Sequence, residues 1–274
     1  MTTNWQGTLK LSFKEQDGYT WLDRSFASAP LKIQRPFYPE GKSCCHLVTL
    51  HTAGGLLGGD QLSIKCELNP RARVLITNGS ATKVYRSESD FAIQEISLQL
   101  AENTVLEWFP QETILFADAK FKQNLFIELG NNALSCGWEI NRFGRTARAE
   151  KFNDGTWKNH TEIWQGNIPL WIDRQFLTGQ GDMLNSYNGL WQKSSIGTFW
   201  FVGRSVTKEM IDHLRTLVEK CPDEIAITRL EKGLICRYRG DSTLICRQQF
   251  MVIWHYLMVY FTDRLPSTPR VWQM

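Results

Sequence analysis

The 274-residue chain has no block of like charge, no Cys-x-x-Cys pair and no apolar run long enough to cross a bilayer. Each absence excludes something. Net charge is +3, and the basic residues are scattered: Arg71 and Arg73 flank Ala72, and Arg142, Arg145 and Arg148 are spaced by three. That pattern gives no electrostatic footprint for nucleic acid. The most apolar stretch, Phe250 to Phe261 with His255 inside it, falls short of the roughly 20 residues a span needs and reads as a buried helix. Met1 to Lys14 lacks the apolar core of a signal peptide. The seven cysteines are odd in number, so reduced thiols in a cytoplasmic protein are expected. Neither GxSxG nor HExxH occurs, which removes the commonest signatures of a nucleophilic serine and of a zinc hydrolase. No repeat of 20 to 50 residues is visible.

What is present is aromatic and strand-forming. The chain holds 11 Trp, 15 Phe and 7 Tyr, with 42% hydrophobic and 22% charged residues, enough to bury a core and to exclude disorder. Most of the aromatics suit a sheet core; a minority suit a protein-binding surface. Leu9, Leu11 and Phe13 alternate with lysines and serine before a turn at Gln16-Asp17-Gly18. Ile93 to Leu100, Val105 to Phe109 and Phe121 to Leu129 follow, broken at Glu102-Asn103 and Gly130-Asn131-Asn132. Short strands with frequent turn signals predict a mainly β fold of stacked sheets, β-helix-like or sandwich-like. After about residue 203 the pattern changes. Thr207 caps a helix to about Lys220, with Met210, Ile211, Leu214, Leu217 and Val218 on one face and Pro222 beyond. Strands Ile225 to Leu230 and Leu234 to Tyr238 follow. A second helix, capped by Asp241 or Ser242, reaches about Asp263 and is apolar nearly all round, so it should pack into the body or a partner. The expected organisation is one domain over 1–274: all-β to about 203, then a helix-strand-strand-helix element from 204 to 274.

Two segments stand out as motifs. Gly54-Gly55-Leu56-Leu57-Gly58-Gly59-Asp60 is glycine-rich, as phosphate loops are. It lacks the lysine and the following helix those loops require, and Asp60 would repel phosphate. The run suits a turn with close backbone approach that presents or is capped by Asp60. Thr77 to Arg86, rich in hydroxyls, suits either a satisfied strand and turn or the polar lining of a passage or partner surface. For metals, Cys44, Cys45 and His46 lie near His51. On one strand Cys44 and His46 share a face and His51 takes the other. A single strand therefore closes no four-ligand site, and transient binding stays open. His160, His213 and His255 are isolated. Glu107, Glu112, Asp118, Glu139 and Glu150 keep open a β-rich carbohydrate hydrolase working through paired carboxylates, although no spacing selects a pair.

Taken in order, Gly54 to Asp60, Ala81 to Arg86, Leu106 to Ile114, Gly144-Arg145 with Ala147 and Glu150, Pro169 to Arg174, and Arg237 to Gly240 resemble the motifs of the UreD (UreH) urease accessory proteins. The resemblance spans roughly residues 46–260. It implies a non-catalytic urease maturation factor that binds UreF, reaches the GTPase UreG through UreF, contacts apo-urease subunits within a dimeric accessory complex, and helps nickel reach the urease active site. It implies no stably bound cofactor, only nickel in transit. A conduit must release its ion, so weak oxygen donors suit it better than a thiolate cage. The motifs offer Asp60, Thr82 and Glu150, with Glu139 and Asp173 as further donors and His51 as a weaker one. Against this stands the plainer expectation that Asp60 caps its own turn and Glu150 pairs with Arg145 or Arg148.

Overall fold

The computed structural model describes residues 4–88 and 90–272. In chain order the strands are β1 (Gln6–Gln16), β2 (Tyr19–Ala27), β3 (Leu31–Ile33), β4 (Cys45–His51), β5 (Gln61–Leu68), β6 (Arg73–Asn78), β7 (Thr82–Val84), β8 (Ala92–Leu100) and β9 (Val105–Phe109). There follow β10 (Thr113–Leu115), β11 (Lys120–Leu129), β12 (Leu134–Phe143), β13 (Thr156–Gln165), β14 (Ile168–Thr178) and β15 (Ser195–Val202). The chain closes with α1 (Lys208–Val218), β16 (Glu224–Leu230), β17 (Gly233–Gly240) and α2 (Thr243–Thr262).

The strands form a seven-stranded sheet 1, ordered β14-β13-β11-β8-β5-β1-β2, and a ten-stranded sheet 2 whose main path is β16-β17-β15-β12-β9-β6-β4-β3. From β4 to β13 the chain passes back and forth between them. β5, β8, β11 and β13 are parallel neighbours in sheet 1, and β4, β6, β9 and β12 are parallel neighbours in sheet 2. The result is a coil of stacked turns. Most of the turn signals in this stretch are corners between sheets rather than hairpins. A hairpin turn would have kept neighbouring strands antiparallel in one sheet, whereas each corner here carries the chain across to the other sheet. Hairpins survive at the two ends of sheet 1, β1 with β2 and β13 with β14.

Alternation within each strand decides which side chains meet. Leu11, Cys66, Leu98, Ile127 and Ile163 stand in register across β1, β5, β8, β11 and β13 and fill the space between the sheets. Sheet 2 is apolar on both faces. Val74, Ile76, Leu106 and Trp200 join the inter-sheet core. Trp138, Cys136, Phe199 and Phe201 join a second core beneath α1 and α2. The Thr207 side chain caps α1 by accepting from the Met210 N–H. Met210, Ile211, Leu214 and Val218 are buried, while Leu217 of the expected face is exposed. Ser242, not Asp241, caps α2; the Asp241 carboxylate instead pairs with Lys193 and accepts from the Ser194 N–H. Phe250, Ile253, Trp254, Leu257 and Met258 seat α2 on the sheet, leaving Leu244, Val252, Val259 and Tyr260 exposed.

Candidate functional site

A register of polar side chains runs through the otherwise apolar space between the sheets. On sheet 1, Gln94, Gln123, Asn159 and Gln175 are cross-strand partners on β8, β11, β13 and β14. They occupy the same inward phase as the leucine and isoleucine ladders beside them. On sheet 2, Glu139, Thr198 and Arg237 are partners on β12, β15 and β17. An amide or carboxyl at such a position costs stability unless hydrogen-bonded, and here the two rungs bond to each other. Asn159 donates to Glu139 Oε2 at 2.8 Å and Thr161 Oγ1 to the same oxygen at 3.2 Å. Gln123 donates to Glu139 Oε1.

Cavities open along this seam. The first, about 450 Å³, is lined by His51, the Gly54-Gly55 pair and the segment Thr77 to Lys83. The second, about 40 Å³, shares Asn78, Thr82, Gln94, Trp108 and Pro110 with the first and reaches Gln123 and Glu139. That volume accommodates about one water or one ion. On the far side lies a third cavity of about 480 Å³ lined by Gln175, Thr198, Arg237 and the loop from Met183 to Leu190. Glu139, which lines the second, bonds Asn159, and Gln175 and Thr198, which line the third, bond each other at 3.4 Å.

The expected site residues divide. Thr82 and His51 line the first cavity, and Thr82 and Glu139 line the second. His51 Nδ1 sits 3.0 Å from the Ala53 carbonyl, while its Nε2 is buried without a partner among the described residues. Asp173 lies behind Glu139, in register with Thr161, and holds Arg237 at 2.8 Å. Burial pushes the Glu139 carboxyl up to about 7; hydrogen bonds from Asn159, Thr161 and Gln123 oppose that rise, and the Asp173 charge adds to it.

Asp60 and Glu150 line none of these three cavities. Asp60 is 2% exposed. Its Oδ1 accepts from the Trp5 N–H and its Oδ2 from the Leu57 N–H, both at 2.8 Å, so it caps its own glycine turn. Gly59 has φ +91°, and a Cβ on Gly55 would sit 2.6 Å from the Tyr85 ring. The glycine run is therefore a corner pressed against its neighbour, as the turn reading requires. Glu150 pairs with Arg145 and accepts from the Ala117 N–H at 3.2 Å; these contacts, the Arg145 hydrogen bond foremost, hold its carboxyl below the ordinary range. Both residues shape corners of the coil. Of the carboxylates the hydrolase reading names, Glu107 and Glu139 do not form a pair: Glu107 lies beneath α2 bonded to Trp254 and Arg264, while Glu139 faces the opposite side of sheet 2.

Sequence reasoning missed Gln94, Gln123, Asn159 and Gln175. The signal was available: each is a polar residue in the inward phase of an alternating strand.

Among the described residues, no helix is long and apolar enough to cross a membrane. A family model described as UreD urease accessory protein matches residues 6–273. The chain is 48% identical over 270 residues to a urease accessory protein UreD of Nostoc punctiforme, covering 98% of this chain and 96% of that one. It is 46% identical over 273 residues to the protein of the same name from Acaryochloris marina, covering 99% and 96%. With that from Trichormus variabilis it shares 47% over 269 residues, covering 98% and 96%. Matched along nearly its whole length, the chain belongs to the UreD family of urease accessory proteins.

Proposed function

We propose that this chain is a urease maturation factor without catalytic turnover, acting as scaffold and nickel conduit in the GTP-dependent loading of apo-urease together with UreF and UreG. One observation carries the conduit reading: a register of oxygen and amide donors crosses a core that is apolar on either side of it. A cation entering by the cavity at His51 and Thr82 would meet Asn78, Gln94 and Thr82, then Gln123 and Glu139. These are weak, neutral or singly charged donors, suited to passing an ion on rather than keeping it. Onward passage to the third cavity would part side-chain contacts around Glu139 and Gln175, Glu139–Asn159 and Gln175–Thr198 among them. Asp173 tunes the charge of Glu139, and Asp60 and Glu150 hold the corners that frame the path.

The scaffold reading rests on α2. Leu244, Val252, Val259 and Tyr260 lie exposed on its outer side, with Leu265 exposed just beyond it. An exposed apolar set of this kind suits a helical partner such as UreF.

The test is the nickel content of urease matured with Thr82→Val and Glu139→Gln variants, each checked for folding and for capture of the urease subunits. A conduit predicts several-fold lower nickel with capture intact. Full metallation with both variants would overturn the conduit and leave the scaffold standing; loss of capture by a folded wild-type chain would overturn the scaffold.

A further inference from the structure

The reverse face of sheet 2, away from the polar seam, holds a second group of metal-ligating atoms. Cys44 and His46, two residues apart, point to the same side; Cys45 points to the other and joins the inter-sheet core. The loop before β4 brings Glu40 over them. One donor atom each of Glu40, Cys44 and His46 lie within 4.8 Å of one another. Cys44 and His46 are fully buried, and the Glu40 side chain is 5% exposed.

Two features distinguish this cluster from an ordinary buried ion pair. The first is unused nitrogen. His46 Nε2 lies 3.1 Å from Glu40 Oε1, but His46 Nδ1 is buried with no hydrogen-bond partner among the described residues. His255, next to Trp254 on α2, also has a buried Nε2 without a partner. A buried imidazole nitrogen left unpaired costs free energy, and two occur on this side of the sheet. The second is charge. Arg264 reaches both Glu40 and Glu107. Two buried carboxylates thus share one guanidinium, an arrangement with room for a further cation.

We propose that Glu40, Cys44 and His46 form a binding site for a borderline divalent cation such as zinc, cobalt or nickel. Carboxylate, thiolate and imidazole together select that class over calcium or magnesium. On binding, the Cys44 thiol proton leaves to solvent as sulfur bonds to the metal. The charges then balance in two neutral sets: the metal with Glu40 and the Cys44 thiolate, and Arg264 with Glu107. Glu40 also accepts from the Ser267 N–H at 2.6 Å, so occupancy would act on the tether of the segment after α2. The site faces away from the seam and does not depend on the conduit reading.

The test uses cobalt(II) as the probe, without urease or partner. Full-length chain is refolded from denaturant with cobalt present, so that burial does not block entry. Expected are one cobalt per chain and a thiolate-to-cobalt charge-transfer absorption in the wild type and in Cys45→Ala. Cys44→Ala should abolish the absorption, and His46→Gln should weaken binding at least tenfold. Where Cys44→Ala does not refold, Cys44→Ser is read in its place. A folded wild type without the absorption, or an absorption that survives replacement of Cys44, overturns the site.

Discussion

Replacing Glu139 by glutamine should change how stability depends on pH, and the size of the change follows from the carboxyl's position. In the folded protein burial lifts it from an ordinary 4.5 to about 7. Below pH 4.5 both folded and unfolded chains hold the proton. Between 4.5 and 7 only the folded chain does, so folding takes up a proton and stability falls as pH rises. Above 7 neither holds it, and the buried charge is carried at full cost. A shift of this size corresponds to about 3 kcal/mol, most of it lost between pH 5 and pH 8. The Glu139→Gln variant keeps an oxygen to accept from Asn159 and has no proton to lose. Urea unfolding followed by tryptophan fluorescence at pH 5 and pH 8 should show the wild type losing about 2–3 kcal/mol more than the variant over that interval. Contributions from titrating groups that do not sense Glu139 cancel in the comparison; Asp173, which does, is the exception. A stability difference between the two proteins that is equal at both pH values would refute the burial of the Glu139 carboxyl.

Two further outcomes test the architecture. Asp60→Ala leaves the Trp5 and Leu57 N–H groups without their carboxylate acceptor and should cost about 3 kcal/mol in urea unfolding, with Asp60→Asn costing roughly half; a loss under about 1 kcal/mol would show that the carboxylate does not hold the turn. Gly197→Ala places a methyl 2.3 Å from Cys246 Sγ and 2.8 Å from the Phe250 ring, so α2 must lift from β15 at a cost of about 1–3 kcal/mol. A lower Tm and faster proteolysis within α2 are expected, and an unchanged Tm would show that α2 does not seat on that glycine.

Much of the fold was legible because local rules act alone over much of the chain. Alternation at Leu9 to Phe13 and at Phe121 to Leu129 and the Thr207 cap are each set by neighbours a few residues away. The connection between strands was less so. A corner that crosses to the other sheet and a hairpin that stays in one use the same Gly, Asn and Asp residues, and only the packing of β4 to β13 distinguishes them. Within the candidate site, His51, Thr82, Glu139 and Asp173 were identifiable by type and by motif. Asp60 was identifiable too, but its role was not: a carboxylate after glycines reads equally as a ligand and as a cap until the Trp5 and Leu57 amides are located.

By itself the sequence settled that the chain is β-rich, ends in two helices and carries the motifs of its family, since composition, periodicity and motif order are properties of the chain as a string. The tertiary structure alone decided that Gln94, Gln123, Asn159 and Gln175, spread over some eighty residues, stand in one register. It also decided that Glu40 lies against Cys44 and His46 while Arg264 arrives from the opposite end of the chain. The physical reason is that parallel stacking ties the register of each strand to strands a full turn of the coil away. No local propensity encodes which polar residues that register will bring face to face.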